Sequence, residues 1–177
     1  TNVLTYIRGA RYFSFSPRRD IIFIGKGFIM SKIVVITDTD SSLPVELAAR
    51  HGIRQIPITV HFGEESYTTG VDLDDVKLFQ MIDARKKLPT TSAPAPNAFI
   101  KAYQQAFEQG AEQIICICVS SKISATYQAA VNALEMFPGK DITVIDALNL
   151  CMAQGFMALA AAEAAERGAS KEEILGI

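Results

Sequence analysis

Hydrophobic and polar positions along residues 30–177 alternate between the two periods that distinguish strands from helices. Short runs rich in β-branched residues, bounded by turn signals, predict strands at 32–37, 54–62, 113–119 and 142–145, with a short return strand at 66–69. Apolar positions three and four apart predict helices at 43–52, 74–87, 96–109, 124–137 and 151–167. This order predicts an α/β fold, with a mostly parallel sheet flanked by helices.

Three short clusters of hydroxyl residues lie just before predicted helices. The first (37–42) and the third (120–126) directly follow predicted strands, and the second (90–92) is expected in an exposed loop ahead of Pro94. Loops that follow parallel strands gather at one edge of the sheet, so the first and third clusters should come together. Hydroxyls and free backbone N–H groups at helix starts suit an anionic head group. Catalysis would also need a positioned base, which the sequence does not supply near any cluster. The pattern therefore predicts a binding site rather than a reaction centre.

The first cluster has two other interpretations. Its hydroxyls can serve simply as a helix cap. Alternatively, Asp38 and Asp40 provide half of a Mg²⁺ shell, which would make the protein a magnesium-dependent phosphoryl-transfer or hydrolase enzyme. A third possibility is an inert fragment that binds no ligand. A co-purifying anionic ligand, a metal ion, or neither would distinguish a binding protein, a metal-dependent enzyme and an inert fragment.

Composition narrows the class of partner. With 49% hydrophobic residues the chain can bury a core, and a formal charge of −2 gives no electrostatic case for nucleic acid. No apolar run is long enough to serve as an integral membrane segment. Cys116 and Cys118 fall on one face of a predicted strand, which favours buried thiols in a reducing, cytoplasmic environment over a metal site.

The first 29 residues differ from the rest of the chain. They carry five basic residues against one acid and show no sustained helical or strand period. Met30 opens almost directly onto the first predicted strand. We expect residues 1–29 to be a non-native leader or the product of a mis-called start, and residues 30–150 to form the α/β domain.

At these same positions the chain resembles the DegV family of bacterial fatty-acid-binding proteins. The matching segments, in chain order, are 37–44, Pro57, 89–94 with Phe99, 120–128, Asp146 and Gln154-Gly155. The resemblance implies an α/β domain related to the lower domain of dihydroxyacetone kinases. It also implies that the protein is not itself an enzyme and needs no cofactor. Its ligand would be a long-chain fatty acid, presented to the catalytic subunit of a fatty acid kinase for acyl phosphate formation.

The resemblance also implies which residues hold the ligand. In the family, a Thr of a Thr-Ser-x-Pro segment and the first Ser of a Ser-Gly-Thr-Tyr segment hold the carboxylate, and these positions are Thr91 and Ser124 here. The hydroxyl clusters supply further candidate ligand-binding residues, namely Ser92, Ser121, Asp38 and Ser41. Ala125 stands where the family usually has Gly.

The resemblance further implies a second α+β domain, which closes over the acyl chain. Residues 151–177 are expected to be the opening helices of that domain, truncated at the end of this sequence. In that case Met152, Phe156 and Leu159 would form an exposed apolar stripe.

Overall fold

Seven strands and six α-helices follow one another in the computed structural model, which describes residues 33–177. The strands are β1 (Ile33–Asp38), β2 (Arg54–Ile56), β3 (Thr59–Phe62), β4 (Glu65–Thr68), β5 (Thr90–Ser92), β6 (Gln113–Cys118) and β7 (Asp141–Asp146). The helices are α1 (Val45–Arg50), α2 (Asp75–Arg85), α3 (Pro96–Glu108), α4 (Thr126–Asn132), α5 (Cys151–Glu166) and α6 (Lys171–Leu175). The expectation for residues 1–29 lies outside the described residues.

A four-stranded parallel sheet with the order β2-β1-β6-β7 forms the centre, as the alternating pattern predicts. Its middle strands β1 and β6 are continuous apolar runs because helices cover both of their faces. Val35 and Ile115 point to the face covered by α1, α5 and α6. Ile36 and Cys116 point to the other face, where Tyr103 and its neighbours on α3 and α4 cover them. The prediction of an α/β fold with flanking helices is confirmed.

A second, smaller sheet departs from the expected pattern. The run 54–62 is not one strand but two, because Pro57 has no N–H to donate and separates β2 from β3. β3 leaves the parallel sheet and pairs antiparallel with β4 and β5, in the order β4-β3-β5. The prediction that 90–92 form a loop is therefore wrong, since these residues form β5, whereas their predicted exposure is confirmed. The predicted return strand at 66–69 is confirmed as β4.

Two predicted helices are shorter than expected. The segment 43–52 contains only the short helix α1, and a separate 3₁₀ turn at Thr39–Ser41 precedes it. The segment 124–137 becomes α4 followed by a 3₁₀ turn at Ala133–Met136. The other helices begin and end within two residues of their predicted bounds.

Helix α5 lies directly against the parallel sheet. Its small side chains, Ala158 and Ala162 among them, join the core formed with β1 and β6. Met152 and Leu159 are partly buried against that core, whereas Phe156 is 62% exposed. The expected apolar stripe is thus limited to the Phe156 side of the helix, and the assignment of residues 151–177 to a second domain stays a prediction.

Candidate functional site

The loops after β1, β6 and β7 are joined at the carboxyl edge of the parallel sheet. Oδ2 of Asp38, at the end of β1, accepts a hydrogen bond of 2.8 Å from the N–H of Val119, just beyond β6. The N–H of Ser120 donates to the carbonyl of Asn149, beyond β7, at 2.9 Å. The structure therefore brings the first and third hydroxyl clusters to one edge, as the sequence predicts.

Asp38 is the organising side chain of this edge. It is completely buried, and its Oδ1 accepts from the N–H of Asp40 (3.1 Å) and from Nε2 of Gln154 (3.1 Å). Burial raises the pKa of Asp38 to about 6, although the N–H of Val119 and the amide of Gln154 pull it down. All of these donors belong to the protein itself. The carboxylate of Asp38 therefore holds the loops after β1 and β6 together. Its direct contact with a ligand stays a prediction.

Gln154 is a site residue that the candidate set drawn from the sequence did not include. Its buried Nε2 also donates to Oγ1 of Thr37 (3.0 Å), whose hydroxyl donates to the carbonyl of Ile117 (2.8 Å). Its Oε1 is buried with no hydrogen-bond partner in the described part of the chain. Two signals were available: Gln154 belongs to a segment that matches the family, and it is the one amide in the apolar first half of α5, where a polar side chain needs buried partners.

Gly155 allows the first cluster to approach α5 closely. A Cβ at this position would lie 2.7 Å from the carbonyl oxygen of Ser41. Ser41 is itself fully buried, and its Oγ accepts from the N–H of Leu43 at 3.4 Å. Ser41 therefore belongs to the packing of this turn, and a contact between its hydroxyl and a ligand stays a prediction.

The third cluster combines a helix cap with an exposed loop. Oγ of Ser124, which is half-buried, accepts from the N–H of Thr126 (3.2 Å) and lies 2.9 Å from Oγ1 of Thr126. The oxygen of Ser124 thus accepts from the first N–H of α4, and its hydroxyl proton is the group left for the bond with Thr126 or for a ligand. Ser121 is exposed, and its N–H donates to Oδ1 of Asp146 at 3.0 Å.

The second cluster lies on the small sheet, and its two candidate residues point to opposite faces. Thr91 stands opposite Val60, whereas Ser92 stands opposite Thr59. Oγ of Ser92 lies 2.9 Å from Nε2 of His61. The expectation that no base lies near a hydroxyl cluster is therefore wrong for Ser92. The pairing of β5 with β3 creates this neighbour, which is 31 residues away in the sequence.

The small sheet is tied to the same edge through the first cluster. Oγ1 of Thr39 accepts from the N–H of Ile58 (3.0 Å), between β2 and β3, and lies 2.7 Å from Oγ1 of Thr69. Within residues 33–177, no hydrogen bond joins Thr91 to Ser124. The two residues that the resemblance singles out are thus positioned by separate sheets.

The geometry gives little support to a magnesium site. Asp38 is completely buried and both of its oxygens accept N–H donors of the protein, so this carboxylate is already committed to linking the loops. Residues 33–177 contain no group of three or more His, Cys, Asp or Glu side chains suited to a metal ion.

Among residues 33–177, no helix is both long and apolar enough to cross a membrane.

Comparisons with known proteins point to one family. The model of the DegV family, described as "Uncharacterised protein, DegV family", matches residues 32–177. A DegV domain-containing protein of Caldanaerobacter subterraneus is 35% identical over 146 residues, which cover 82% of this chain and 51% of the relative. Protein DegV of Bacillus subtilis is 36% identical over 141 residues, 80% of this chain and 50% of the relative.

Solved structures give the same result. The chain is 34% identical to a fatty-acid-binding DegV family protein from Thermus thermophilus, with a TM-score of 0.73, over 81% of this chain and 51% of the other. It is also 34% identical to DegV, a fatty acid binding protein from Bacillus subtilis, with a TM-score of 0.75 and the same coverage. A stearic-acid-binding protein from Eubacterium ventriosum is 27% identical, with a TM-score of 0.73, over 80% of this chain and 50% of the other.

These names describe lipid binding, and none of them describes a catalyst. The chain spans about half the length of the relatives that it matches. The family match, together with the parallel sheet and the hydroxyl-bearing carboxyl edge, shows that this chain belongs to the DegV family.

Proposed function

We propose that this chain binds a long-chain fatty acid by its carboxylate at the hydroxyl-bearing edge. The observation that carries the proposal is the gathering of the first and third hydroxyl clusters at the carboxyl edge, where the half-buried Ser124 stands just before α4. The similar solved structures from Thermus thermophilus and Bacillus subtilis are named for fatty acid binding, which supports the same ligand class.

The head group would be held by Ser124 together with one hydroxyl of β5. Thr91 and Ser92 lie on opposite faces of β5, so their side chains offer alternative contacts. Thr91 is exposed and makes no side-chain hydrogen bond within residues 33–177. Ser121 is exposed in the loop before Ser124 and is available as a further donor. In this proposal the buried Asp38 keeps the loops in place.

The acyl chain needs an apolar surface next to this head-group site. Exposed apolar side chains lie in the loops after β6 and β7 and on α5, namely Ile123, Leu148, Leu150 and Phe156. Each CH₂ group that is buried contributes about 0.8 kcal/mol, so this surface would supply most of the affinity. The hydroxyls would then set the orientation of the ligand.

The full protein would present the bound acid to the catalytic subunit of a fatty acid kinase, which forms the acyl phosphate. This partner is implied by the family resemblance. A cytoplasmic location belongs to the same proposal. It is supported by the buried thiols of Cys116 and Cys118, which lie 3.7 Å apart and are not joined in a disulfide.

Substitutions at Ser124 test the proposed head-group contact. A hydrogen bond to a charged group contributes about 1.5–3 kcal/mol, so Ser124→Ala should weaken binding roughly ten- to a hundredfold. Ser124→Asp keeps an oxygen that can cap α4 but repels a carboxylate, and should abolish binding while the fold remains stable. Calorimetric titration with a fatty acid measures both effects.

Ser170→Ala is the matched control, because Ser170 also caps a helix, α6, through the N–H of Glu173. Its removal should leave the affinity unchanged. Wild-type affinity in both Ser124 variants would show that the carboxylate lies elsewhere.

A further inference from the structure

Thr126 is the first residue of α4, and its side chain is completely buried. Among residues 33–177, the hydroxyl of Thr126 has one hydrogen-bond partner, Oγ of Ser124, with 2.9 Å between the two oxygens. The same oxygen of Ser124 accepts from the backbone N–H of Thr126 at 3.2 Å. One buried residue therefore contacts Ser124, the residue proposed to hold the head group, through both its backbone and its side chain.

The burial of Thr126 decides which of the two hydroxyls donates in the bond between them. If Ser124 donated, the hydroxyl proton of Thr126 would be buried without an acceptor, which native proteins avoid. Ser124 is only half-buried, so its own proton can reach solvent or a ligand. Thr126 is therefore the donor and Ser124 the acceptor.

This direction of the hydrogen bond fixes what Ser124 offers to a ligand. A serine hydroxyl has two lone pairs and one proton. The N–H and the O–H of Thr126 occupy both lone pairs of Ser124, so the proton is the group that remains. Ser124 then acts only as a donor, which suits a head group that only accepts, such as an ionised carboxylate.

The backbone of Ser124 is held in place as well. Its N–H donates to the carbonyl of Ser120 at 3.2 Å, and Oγ of Ser120 accepts from the N–H of Lys122 at 3.2 Å. With the loop fixed in this way, the freedom left to the Ser124 hydroxyl is rotation about its own side-chain bonds. The hydrogen bond from Thr126 restricts that rotation.

We propose that Thr126 is a positioning residue that turns the hydroxyl proton of Ser124 toward the carboxylate of the ligand. Thr126 acts through Ser124, since its own side chain has no surface to present. This inference rests on the proposed function. It deepens that function by explaining how the site favours an ionised acid.

The test is calorimetric titration of the full chain with decanoate. Thr126→Val keeps the shape of the side chain and removes its hydroxyl. A free hydroxyl rotates among about three staggered orientations, so losing the productive one costs about threefold in affinity. The loss of polarisation along the chain of hydrogen bonds adds to this, so Thr126→Val should weaken decanoate binding about three- to tenfold. The affinity for decanol, which has a neutral head group, should change less.

Three comparisons separate positioning from a merely structural role. Thr126→Ser keeps the hydroxyl and should restore the affinity of wild type. In a chain that already carries Ser124→Ala, Thr126→Val should change the affinity no further, because its effect passes through Ser124. Thr143→Val is the matched control on β7, where no side-chain hydrogen bond within residues 33–177 involves Thr143, and it should bind decanoate like wild type.

A proton NMR measurement on the wild-type chain needs no variant. The buried, hydrogen-bonded hydroxyl proton of Thr126 should exchange slowly and be visible without ligand. The hydroxyl proton of Ser124 should become visible only when decanoate is bound. The reverse pattern would show that Ser124 donates to Thr126 and would overturn the inference.

Two titration results would also overturn the inference and leave the proposed function standing. One is decanoate binding that depends on Ser124 but is equally tight in Thr126→Val and in wild type. The other is a loss of affinity in Thr126→Val that persists in full when Ser124→Ala is present. A wild-type chain that binds no decanoate would overturn both the inference and the proposed function.

Discussion

Lowering the pH from about 7 to about 5 should stabilise the folded chain through Asp38, and Asp38→Asn should remove that gain. The carboxylate is fully buried, and desolvation raises its pKa from 3.8 to about 6. The folded state therefore holds this proton more tightly than the unfolded chain does. The resulting stabilisation is complete below about pH 3.8 and is lost as the pH rises through about 6.

The size of the effect follows from the shift in pKa. One pKa unit corresponds to about 1.4 kcal/mol, so the whole shift is equivalent to about 3 kcal/mol. Between about pH 7 and about pH 5 the folded state of wild type should recover about 1.3 kcal/mol of this amount. Glu65 and Asp141 oppose the trend, because Arg85 holds the pKa of Glu65 down to about 2 and Lys171 lowers that of Asp141, whereas burial raises the pKa of Asp40, which adds to the trend. The difference between wild type and Asp38→Asn isolates the contribution of Asp38.

Urea unfolding at the two pH values measures this difference. The chain has no tryptophan, so far-UV circular dichroism is the suitable signal. Asp38→Asn should be less stable than wild type at both pH values, since its amide N–H₂ faces backbone donors. Its pH-dependent gain should nevertheless be smaller by about 1.3 kcal/mol.

Asp83→Asn, an exposed position on α2, serves as the control and should keep the wild-type response to pH. If Asp38→Asn gains as much stability on acidification as wild type does, the buried carboxylate is not the source of the effect.

Two further predictions concern the packing of the site and the absence of chemistry. Gly155→Ala should lower the free energy of unfolding by up to about 2 kcal/mol, because its Cβ would clash with Ser41 and the cost of overpacking exceeds the gain in helix propensity. In the control Gly176→Ala the Cβ makes only ordinary contacts, so equal stability of the two variants in urea would refute the clash. Incubated with ATP and a fatty acid, the chain should form no acyl phosphate without a partner, as followed by ³¹P NMR. Turnover that is abolished by Asp38→Ala would instead favour the enzyme interpretation.

The parallel sheet and its edge were predictable because they follow from local patterns. The apolar runs of β1 and β6 identify buried parallel strands, and the hydroxyls that follow them mark the edge where loops gather. From the sequence alone, Asp38 and Ser121 could thus be assigned to the same edge of the sheet. The family resemblance, now confirmed, rests on these same segments.

The small sheet was not predictable from the same rules. β5 has only three residues, Thr90–Ser92, and prolines flank it closely, so its pattern resembles a loop. Its pairing with β3 depends on contacts that are distant in sequence, which also decide that Thr91 and Ser92 face opposite ways. The contact between Ser92 and His61 follows only from that pairing. Similarly, the burial of Asp38 and Gln154 depends on how closely α5 approaches the sheet at Gly155.

Native mass spectrometry tests the central claim most directly. The chain is expressed in bacterial cells and purified from them without added ligand. We expect one bound molecule with the mass of a long-chain fatty acid per chain, and we expect Ser124→Asp to lose it. A wild-type chain that carries no fatty acid, or carries a metal ion in its place, would contradict the account.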